Sequence, residues 1–337
     1  MTPLLTISEL RSTVRETPVP ARLFAQATEV LKRESANGKP YFELKLRDSG
    51  ETLLLRAWND TPAFYACEKL AAGTPVEISG EFQVNGQFGL EGRRWTVRVL
   101  NDEESDALFS ATQDTSVAAM EDVANHIESL ADPRLKALCQ AFLREFGSRF
   151  ARASAARAHH HARRGGLLDH TAQMLRSAGA ISSVYPSLNR DLLLAGTLFH
   201  DAGKLWETCP PERGFEIPRD LRGELLGHIT IGIEVINSLW RSLPLEEWKD
   251  LTPPSETVRL HLLHLVAAHH GQLEFGSPVE PKTPEAIALN AIDNLDAKLE
   301  MLFQAATSQP EVAPGLLDRI RPLNIHPAIP LPKFSQP

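Results

Sequence analysis

One stretch of the sequence decides the fold: LLLAGTLF at residues 192–199, followed directly by HDAGK at residues 200–204. The first eight residues are apolar or small, which is typical of a buried helix. The His200-Asp201 pair offers two metal ligands, which project about 100° apart if the helix continues. One ion can take both only at an edge position, whereas two ions can share the aspartate because it has two oxygens. Lys204, one turn further on, can offer a point charge to a phosphate.

Histidines concentrate in the same part of the chain, since ten of the twelve lie between residues 159 and 270. A lone His-Asp pair is usually a helix-surface feature. Here, further ligand-type residues occur on otherwise apolar helices, where an unpaired polar group is costly. Ligands from several helices converge only inside a bundle, and imidazole and carboxylate without thiolate suit Mn, Fe, Zn and similar divalent ions. The further candidates are His170, His228, His269, His270 and Asp293.

Composition places the chain among ordinary globular proteins. Its 337 residues predict about two domains, and a 42% hydrophobic content is enough for sizeable cores. The net charge of -8 argues against a protein that coats polyanions, although it can hide a local basic cleft. Three separated cysteines without a CxxC motif predict a reducing compartment. We find neither a signal peptide nor a membrane-spanning stretch, and therefore expect a cytoplasmic protein without membrane contact.

The first 105 residues have the pattern of a β-domain. Five segments rich in Val, Leu, Phe and Trp are separated by turn signals such as Asn85-Gly86, with a short helix expected at 60–71. This pattern predicts a small OB-like barrel, a module that binds single-stranded nucleic acid through aromatic and basic side chains. The predicted strands are 21–30, 41–47, 52–58, 75–83 and 89–100. The aromatic candidates for that contact, each with core packing as its alternative, are Tyr41, Phe42, Trp58, Phe82, Phe88 and Trp95.

Residues 119–306 predict an all-α domain, joined to the first by an acidic, polar linker at 106–118. Apolar residues recur at three- and four-residue spacing, and few are β-branched. The Pro-rich tail at 307–337 is expected to be extended or disordered. The expected fold class is therefore α+β multidomain, a small N-terminal OB-like β-barrel followed by an all-α helical bundle. The predicted helices are 120–130, 134–150, 167–183, 190–207, 222–239, 255–270 and 284–306.

Taken together, the candidate ligands resemble those of a known superfamily. The order His170, His200-Asp201, Asp293 resembles the HD superfamily of metal-dependent phosphohydrolases, and the remaining three histidines resemble those of its two-metal members. Four finer strings, with the OB-like barrel, resemble the YhaM-type 3′→5′ exoribonucleases. They are HHARRGGLLDHT at 160–171, LGHI at 226–229, HHG at 269–271 with EFGSP at 274–278, and IDNLDAK at 292–298.

The resemblance implies an HD-domain bundle with two divalent ions, for which we expect Mn, with Fe, Zn, Co and Mg as alternatives. The first ion would be held by His170, His200, Asp201 and Asp293, and the second by His228, His269 and His270. Asp201 would bridge the two ions and Lys204 would add positive charge at the scissile phosphate, so both count as catalytic. The implied reaction is hydrolysis of single-stranded RNA from its 3′ end by metal-activated water, with DNA as an open alternative.

Substrate contacts are expected on the approach to His170. Residues 146–164 contain five arginines and three histidines but no acid, which predicts a positive rim beside the site; a solvated helix face is the alternative. The candidate substrate-binding residues are His160, His161, Arg163, Arg164 and Lys204. Asp296 shares a helix face with Asp293 and is the candidate for supporting the ligands from behind. The histidines expected to be structural or exposed are His126, His159, His261, His264 and His326.

Two other functions stay open. One is a phosphohydrolase acting on nucleotides or cyclic dinucleotides. The cyclic-dinucleotide form usually carries GYP after the paired histidines, whereas this chain has GQLEFG at 271–276. The other is a non-catalytic nucleic-acid-binding protein, against which the complete set of candidate ligands argues. A homo-oligomer is also open.

Overall fold

A computed structural model describes residues 2–85, 89–110, 113–157 and 161–334 of the chain. The chain divides into two compact units. The first comprises Met1–Gln113 and Pro210–Glu216, and the second comprises Asp114–Cys209 and Ile217–Pro337. None of the helices in the described residues is long and apolar enough to span a bilayer.

The first unit is built around a six-stranded sheet. Its strands are β1 (Leu4–Leu5), β2 (Val19–Glu34), β3 (Pro40–Arg47), β4 (Thr52–Trp58), β5 (Pro75–Asn85) and β6 (Gly89–Val99). The order is β4-β3-β2-β5-β6, with all of these neighbours antiparallel, and β1 pairs parallel to β2. The long β2 pairs with β5 through its first half and with β3 through its second.

The predicted strands and intervening helix are confirmed as a sheet with α2 (Pro62–Cys67) between β4 and β5. Barrel closure is not found, because the described parts of the edge strands β4 and β6 do not pair with each other. The neighbouring strands β5 and β6 approach each other closely at Gly80, where a Cβ atom would lie 2.6 Å from the Cα of Trp95. A short helix α1 (Ile7–Thr13) covers part of the apolar face, with Ile7 and Leu10 fully buried.

The predicted aromatic residues of this unit divide between core and surface. Phe42, Phe82 and Trp95 are buried, as expected from their core alternative. Tyr41 and Trp58 lie opposite each other on β3 and β4, with ring centroids 4.8 Å apart, and Trp58 is 40% exposed. Phe88 lies outside the described residues.

The segment expected as a linker is largely helical in the structure. Helix α3 spans Asp102–Ser110 and helix α4 spans Gln113–Glu128. Leu108 and Phe109 of α3 are buried with Phe215, which explains why this acidic segment folds: its charged residues lie on one side and its apolar residues on the other.

The second unit is helical, as predicted, but two of its helices are interrupted. The predicted helix at 190–207 ends at Phe199 and resumes at Lys204, and the predicted helix at 222–239 contains a break at Gly227, with φ 69° and ψ 158°. The helices are α5 (Pro133–Phe150), α6 (Gly166–Val184), α7 (Arg190–Phe199), α8 (Lys204–Glu207), α9 (Leu221–Arg241), α10 (Ser255–Ala268) and α11 (Pro284–Ser308).

An apolar core holds these helices around α7. Phe142 lies 5.7 Å from Phe150 and 5.2 Å from Phe199 between ring centroids, and all three side chains are fully buried. Gly196 allows α10 to approach α7 closely, because a Cβ there would lie 2.3 Å from the Cδ2 of Leu265. This packing fixes the C-terminal end of α7, where the His-Asp pair lies.

The Pro-rich tail is not extended throughout. Strands β7 (Glu311–Ala313) and β8 (Leu316–Leu317) pair as a small antiparallel sheet. Leu317 and Ile320 are buried together with Ala305 of α11. Burial of Leu317 and Ile320 against α11 thus gives part of the tail a folded structure that its Pro-rich composition does not predict.

We expect Phe142→Ala to lower the free energy of unfolding by about 3–5 kcal/mol, because it removes a fully buried ring around which α5 and α7 pack. Urea denaturation followed by circular dichroism measures this. The matched control is Phe334→Ala, whose side chain is 87% exposed and should change stability by less than about 0.5 kcal/mol. Equal effects of the two substitutions would contradict the packing described.

Candidate metal centre

The structure brings together all seven predicted metal ligands, from five separate segments of the second unit. His170 lies on α6, Asp293 on α11, and the His200-Asp201 pair in the turn between α7 and α8. The other three histidines come from α9 and from the end of α10. Successive imidazole rings are 4.3–5.6 Å apart, centroid to centroid, in the order His170, His200, His269, His228 and His270, with the last also beside His269.

The turn at His200–Gly203 sets the geometry of the His-Asp pair. The His200 amide still donates to the Gly196 carbonyl, 2.8 Å away, so His200 continues the last turn of α7. Gly203 then lies against the backbone of α9, where a Cβ atom would be 1.9 Å from the His228 carbonyl oxygen. A glycine is required for this approach, and the approach brings His228 beside Asp201.

The two carboxylate oxygens of Asp201 face different groups of histidines. Its Oδ2 lies 3.2 Å from His200 Nε2 and 3.9 Å from His170 Nε2, and accepts from Lys204 Nζ at 2.7 Å. Its Oδ1 lies 3.6 Å from His228 Nε2 and 3.7 Å from His269 Nε2. The aspartate therefore stands between two groups of imidazoles, and its role as a bridging ligand stays a prediction.

Each of the five ligand imidazoles presents Nε2 toward the cluster and uses Nδ1 elsewhere. Every Nδ1 partner is an oxygen that can only accept, so each Nδ1 carries a hydrogen, which leaves Nε2 available for a ligand. The Nδ1 partners are Asp296 for His170, the Thr197 carbonyl for His200, Glu207 for His228, the Val266 carbonyl for His269 and the Phe275 carbonyl for His270, at 2.7–3.2 Å.

Divalent metal ions fit this arrangement. Asp201 Oδ1, His228 Nε2 and His269 Nε2 are buried without a hydrogen-bond partner, and all three point into one space. Leaving three buried polar atoms unsatisfied is costly, and a cation at their centre removes that cost. Two sets of residues each bring their ligand atoms within 4.8 Å of one another. One set is His170, His200 and Asp201, and the other is His228, His269 and His270. The role of each residue toward a particular ion stays a prediction.

Asp293 lies on the side of the cluster that holds His170 and His200, which we call the first side. Its Oδ1 is 3.4 Å from His170 Nε2. The second side holds His228, His269 and His270. Burial alone would raise the pKa of Asp293, but the hydrogen bond from His170 and the nearby histidines lower it below its usual range. Asp201 is similar: Lys204 and His200 outweigh its burial and hold its pKa well below the ordinary value. Both carboxylates are therefore ionised at neutral pH and suited to a cation.

The imidazoles titrate differently from one another. Burial lowers the pKa of His269 well below its ordinary value, and burial with the charge of His228 lowers that of His270. Burial acts in the same direction on His170, but hydrogen bonds to Asp293 and Asp296 outweigh it and raise its pKa to about 9. In the metal-free protein, His170 thus holds a second proton that a metal ion must displace.

Asp296 contacts the side of the His170 ring that points away from the cluster, as we expect of a residue that supports a ligand. Its Oδ2 accepts from His170 Nδ1 at 2.7 Å and from His161 Nε2 at 3.0 Å. A group of His161, His170 and Asp296 also has ligand atoms close together, but the hydrogen bonds between them account for its geometry. His161 is buried against Asp296, so the structure places it behind a ligand instead of on an open substrate surface.

The other predicted substrate residues are mostly engaged within the protein. Arg163 forms an ion pair with Asp169, and Arg164 is partly buried. His160 lies outside the described residues. Lys204 is the exception, because its ammonium group lies at the cluster itself, on Asp201.

The basic run at 146–164 serves largely as internal support. Arg149 donates to the Leu205 carbonyl at 2.8 Å, and its guanidinium group lies 5.1 Å from the Trp206 ring centroid. Arg157 donates to the Glu207 carbonyl at 2.7 Å. Both side chains hold α8. The basic run does lie near the site, but two of its arginines contact backbone carbonyls of α8, which the sequence does not reveal.

The histidines expected to be structural or exposed lie away from the cluster where they are described. His126 Nδ1 bonds to the Asp122 carbonyl, His264 Nε2 accepts from the Lys282 amide, and His326 Nδ1 lies 3.2 Å from the Leu317 carbonyl. His261 is exposed on α10. His159 falls outside the described residues.

Sequence reasoning missed Glu207. It ends α8, and both of its carboxylate oxygens contact His228, one through the backbone amide and one through the ring. The two residues are 21 positions apart on different helices, so no periodicity connects them. Only the position of Glu207 one turn beyond Lys204 pointed to the same region.

Comparison with protein families agrees with this centre. The HD domain family model matches residues 167–298, a range that contains all seven candidate ligands and Asp296. The match supports a metal-dependent phosphohydrolase of the HD superfamily. A second family model, described as "Putative helicase", matches residues 100–185 and contains only His170 of the ligand set. The metal-binding hydrolase assignment therefore rests on the HD match.

We expect binding of Mn²⁺ at pH 7 to release about one proton per chain, because His170 holds its second proton below about pH 9. The apparent affinity should rise about tenfold per pH unit up to about pH 9 and then level off. Calorimetric titration in buffers of different ionisation enthalpy counts the protons. The internal control is the same titration at pH 10. Proton release that is zero at pH 7, or equal at both pH values, would contradict the raised pKa.

Proposed function

We propose that this protein is a metal-dependent phosphodiesterase that removes nucleotides from the 3′ end of single-stranded RNA. The observation that carries the proposal is the position of Asp201, whose two oxygens face two separate groups of histidines. A carboxylate shared between two cation sites is typical of two-metal phosphodiester hydrolysis. We expect Mn²⁺, because imidazole and carboxylate ligands suit it, although they suit other divalent ions too.

Bound divalent ions would supply Lewis-acid polarisation of the phosphate and would lower the pKa of a nearby water. The first site would use His170, His200, Asp201 and Asp293, and the second His228, His269 and His270 with Asp201. The protein's own contribution is positioning. Fixed Nδ1 partners hold the imidazoles in place before substrate arrives, so little reorganisation is needed during the reaction.

Lys204 is suited to contact the substrate. Its side chain is 14% exposed, and its ammonium group lies 2.7 Å from Asp201, at the edge of the cluster. A compact positive charge there can bind a non-bridging phosphate oxygen and stabilise the negative charge that develops during hydrolysis. Binding of that oxygen beside Asp201 would place the scissile bond next to the cluster of candidate ligands. Lys204 would thus orient the phosphate without acting as a base.

RNA is the favoured substrate because of the first unit. Its strand order β4-β3-β2-β5-β6, with a helix between β4 and β5, fits a partly open OB-type barrel. The Tyr41–Trp58 pair lies on β3 and β4 with Arg56 nearby, since Arg56 pairs with Glu43 in the same ladder. Exposed aromatic faces stack on bases of any sequence, and arginine adds charge for the backbone. We propose that this face holds single-stranded RNA.

The direct test incubates the full chain with Mn²⁺ and 5′-labelled single-stranded RNA, and in parallel with nucleotides and cyclic dinucleotides. We expect a ladder that shortens from the 3′ end. Asp201→Ala should lower the rate by about 10³-fold or more, because it removes the shared ligand. The control Asp250→Ala changes an exposed carboxylate and should keep full activity. Hydrolysis of small substrates alone would favour the nucleotide phosphohydrolase, and RNA binding without turnover a non-catalytic protein.

A second test separates RNA binding from cleavage. Trp58→Ala should weaken binding of a single-stranded oligonucleotide about tenfold, which corresponds to the loss of one base-stacking contact. Hydrolysis of a small phosphodiester should be unchanged. The matched control is Tyr65→Ala, since Tyr65 is 61% exposed on α2 of the same unit, outside the strands. Equal effects of Trp58→Ala and Tyr65→Ala in fluorescence-anisotropy titrations would argue against this face as the RNA surface.

A further inference from the structure

We infer that Glu207 is a positioning residue that prepares His228 to bind the second metal ion. The inference rests on the proposed two-ion centre, which has His228, His269, His270 and Asp201 Oδ1 on its second side. Both oxygens of its carboxylate face His228, so Glu207 is not itself one of the proposed ligands. It acts through the orientation of one imidazole.

Both oxygens of the Glu207 carboxylate are used on His228. Oε1 accepts from the His228 backbone amide at 2.6 Å, and Oε2 accepts from His228 Nδ1 at 3.2 Å. The same carboxylate therefore fixes the backbone and the ring of one residue. With Nδ1–H held in this way, the Nε2 lone pair faces Asp201 Oδ1, 3.6 Å away.

The break in α9 explains why an outside acceptor is needed. Gly227 leaves the helical conformation, with φ 69° and ψ 158°, immediately before His228. The residues after a break begin a new helical segment, whose first amides have no acceptor within it. Glu207 supplies that acceptor for His228 from a different helix. The break and the carboxylate together place His228 where a regular helix would not.

Glu207 is itself held tightly by its neighbours. Arg157 donates from Nη2 to the Glu207 carbonyl at 2.7 Å and to the Pro218 carbonyl at 3.3 Å. The start of α9 also packs closely against α8, because a Cβ atom on Gly223 would lie 2.7 Å from the Trp206 carbonyl oxygen and 3.1 Å from Glu207 Cγ. Neighbouring residues therefore hold both the backbone and the side chain of Glu207.

Two carboxylates thus serve the two sides of the cluster separately. Asp296 holds Nδ1 of His170 on the first side, and Glu207 holds Nδ1 of His228 on the second. The other three ligand imidazoles bond to backbone carbonyls, which substitution cannot remove. A carboxylate behind a metal-binding imidazole orients the ring and raises its basicity, and its loss typically costs 10–100-fold in metal affinity.

Glu207→Gln tests this role with little change in shape. Both groups that His228 presents to Glu207 are donors, the backbone amide and Nδ1–H. A glutamine amide has one acceptor and one donor end. Its oxygen keeps the backbone amide, which can only donate, and its NH₂ group then faces Nδ1. The Nδ1–H tautomer then loses its acceptor, and the ring is no longer held with Nε2 free.

The experiment is a calorimetric titration of the chelator-treated full chain with Mn²⁺. We expect two ions per wild-type chain, and for Glu207→Gln one ion with wild-type affinity and a second weakened by about 10–100-fold. The matched control Glu234→Gln changes an exposed carboxylate on α9 that pairs with Arg222, and should bind both ions normally. Asp296→Asn should weaken one ion, and the double variant Glu207→Gln/Asp296→Asn should weaken both.

The outcomes separate the two proposals. Two wild-type ions together with unchanged binding by Glu207→Gln would overturn the role of Glu207 and leave the two-ion centre standing. Fewer than two ions in the wild type would overturn the two-ion centre and the inference with it. A measurement on metal-free protein does not depend on binding: ¹⁵N spectra of labelled histidine should report Nδ1–H for His228 in the wild type and a changed tautomer in Glu207→Gln. An unchanged tautomer would also overturn the inference.

Discussion

The structure of the second unit depends on one requirement: five imidazoles crowded into a helical bundle must each donate Nδ1–H to an acceptor. Without those acceptors, the buried rings would carry unsatisfied donors and could turn away from the centre. With them, every Nε2 faces the same small volume, beside ionised Asp201 and Asp293. The cluster then presents several nitrogen and oxygen ligand atoms that a divalent cation would stabilise. The apolar core holds the helices, and the geometry of the cluster follows from how the acceptors are provided.

Helix ends provide two of the acceptors. His200 and His269 each follow the last residue of a helix, and each bonds to the carbonyl three residues earlier, of Thr197 and Val266. Carbonyls in the last turn of a helix have no partner within it, so they are available for such bonds. Because α7 and α10 are each followed directly by a candidate ligand histidine, one hydrogen bond satisfies both a carbonyl of the last helical turn and the Nδ1–H of the imidazole. His170 and His228 lie within helices instead, and their Nδ1 partners are the carboxylates Asp296 and Glu207.

Much of this could be predicted from sequence, for a physical reason. Polar ligands on apolar helices stand out, so the spacing of His170, His200-Asp201 and Asp293 indicated both the bundle and the cluster. The division of the predicted helix at 190–207 and the break at Gly227 could not be predicted, because each depends on a backbone approach between distant segments. Gly203 against His228 is one such approach. Glu207 was missed for the same reason, and the helices in place of the linker reflect burial of Leu108 and Phe109. The sheet of the first unit was predicted, whereas its closure into a barrel is not found in the described strands.

The most direct test of the two-ion centre is an anomalous difference map from crystals of the full chain grown with Mn²⁺. The account predicts two peaks in the second unit, one among His170, His200 and Asp293 and one among His228, His269 and His270, with Asp201 between them. A single peak, or two peaks of which neither has Asp201 as a neighbour, would contradict it.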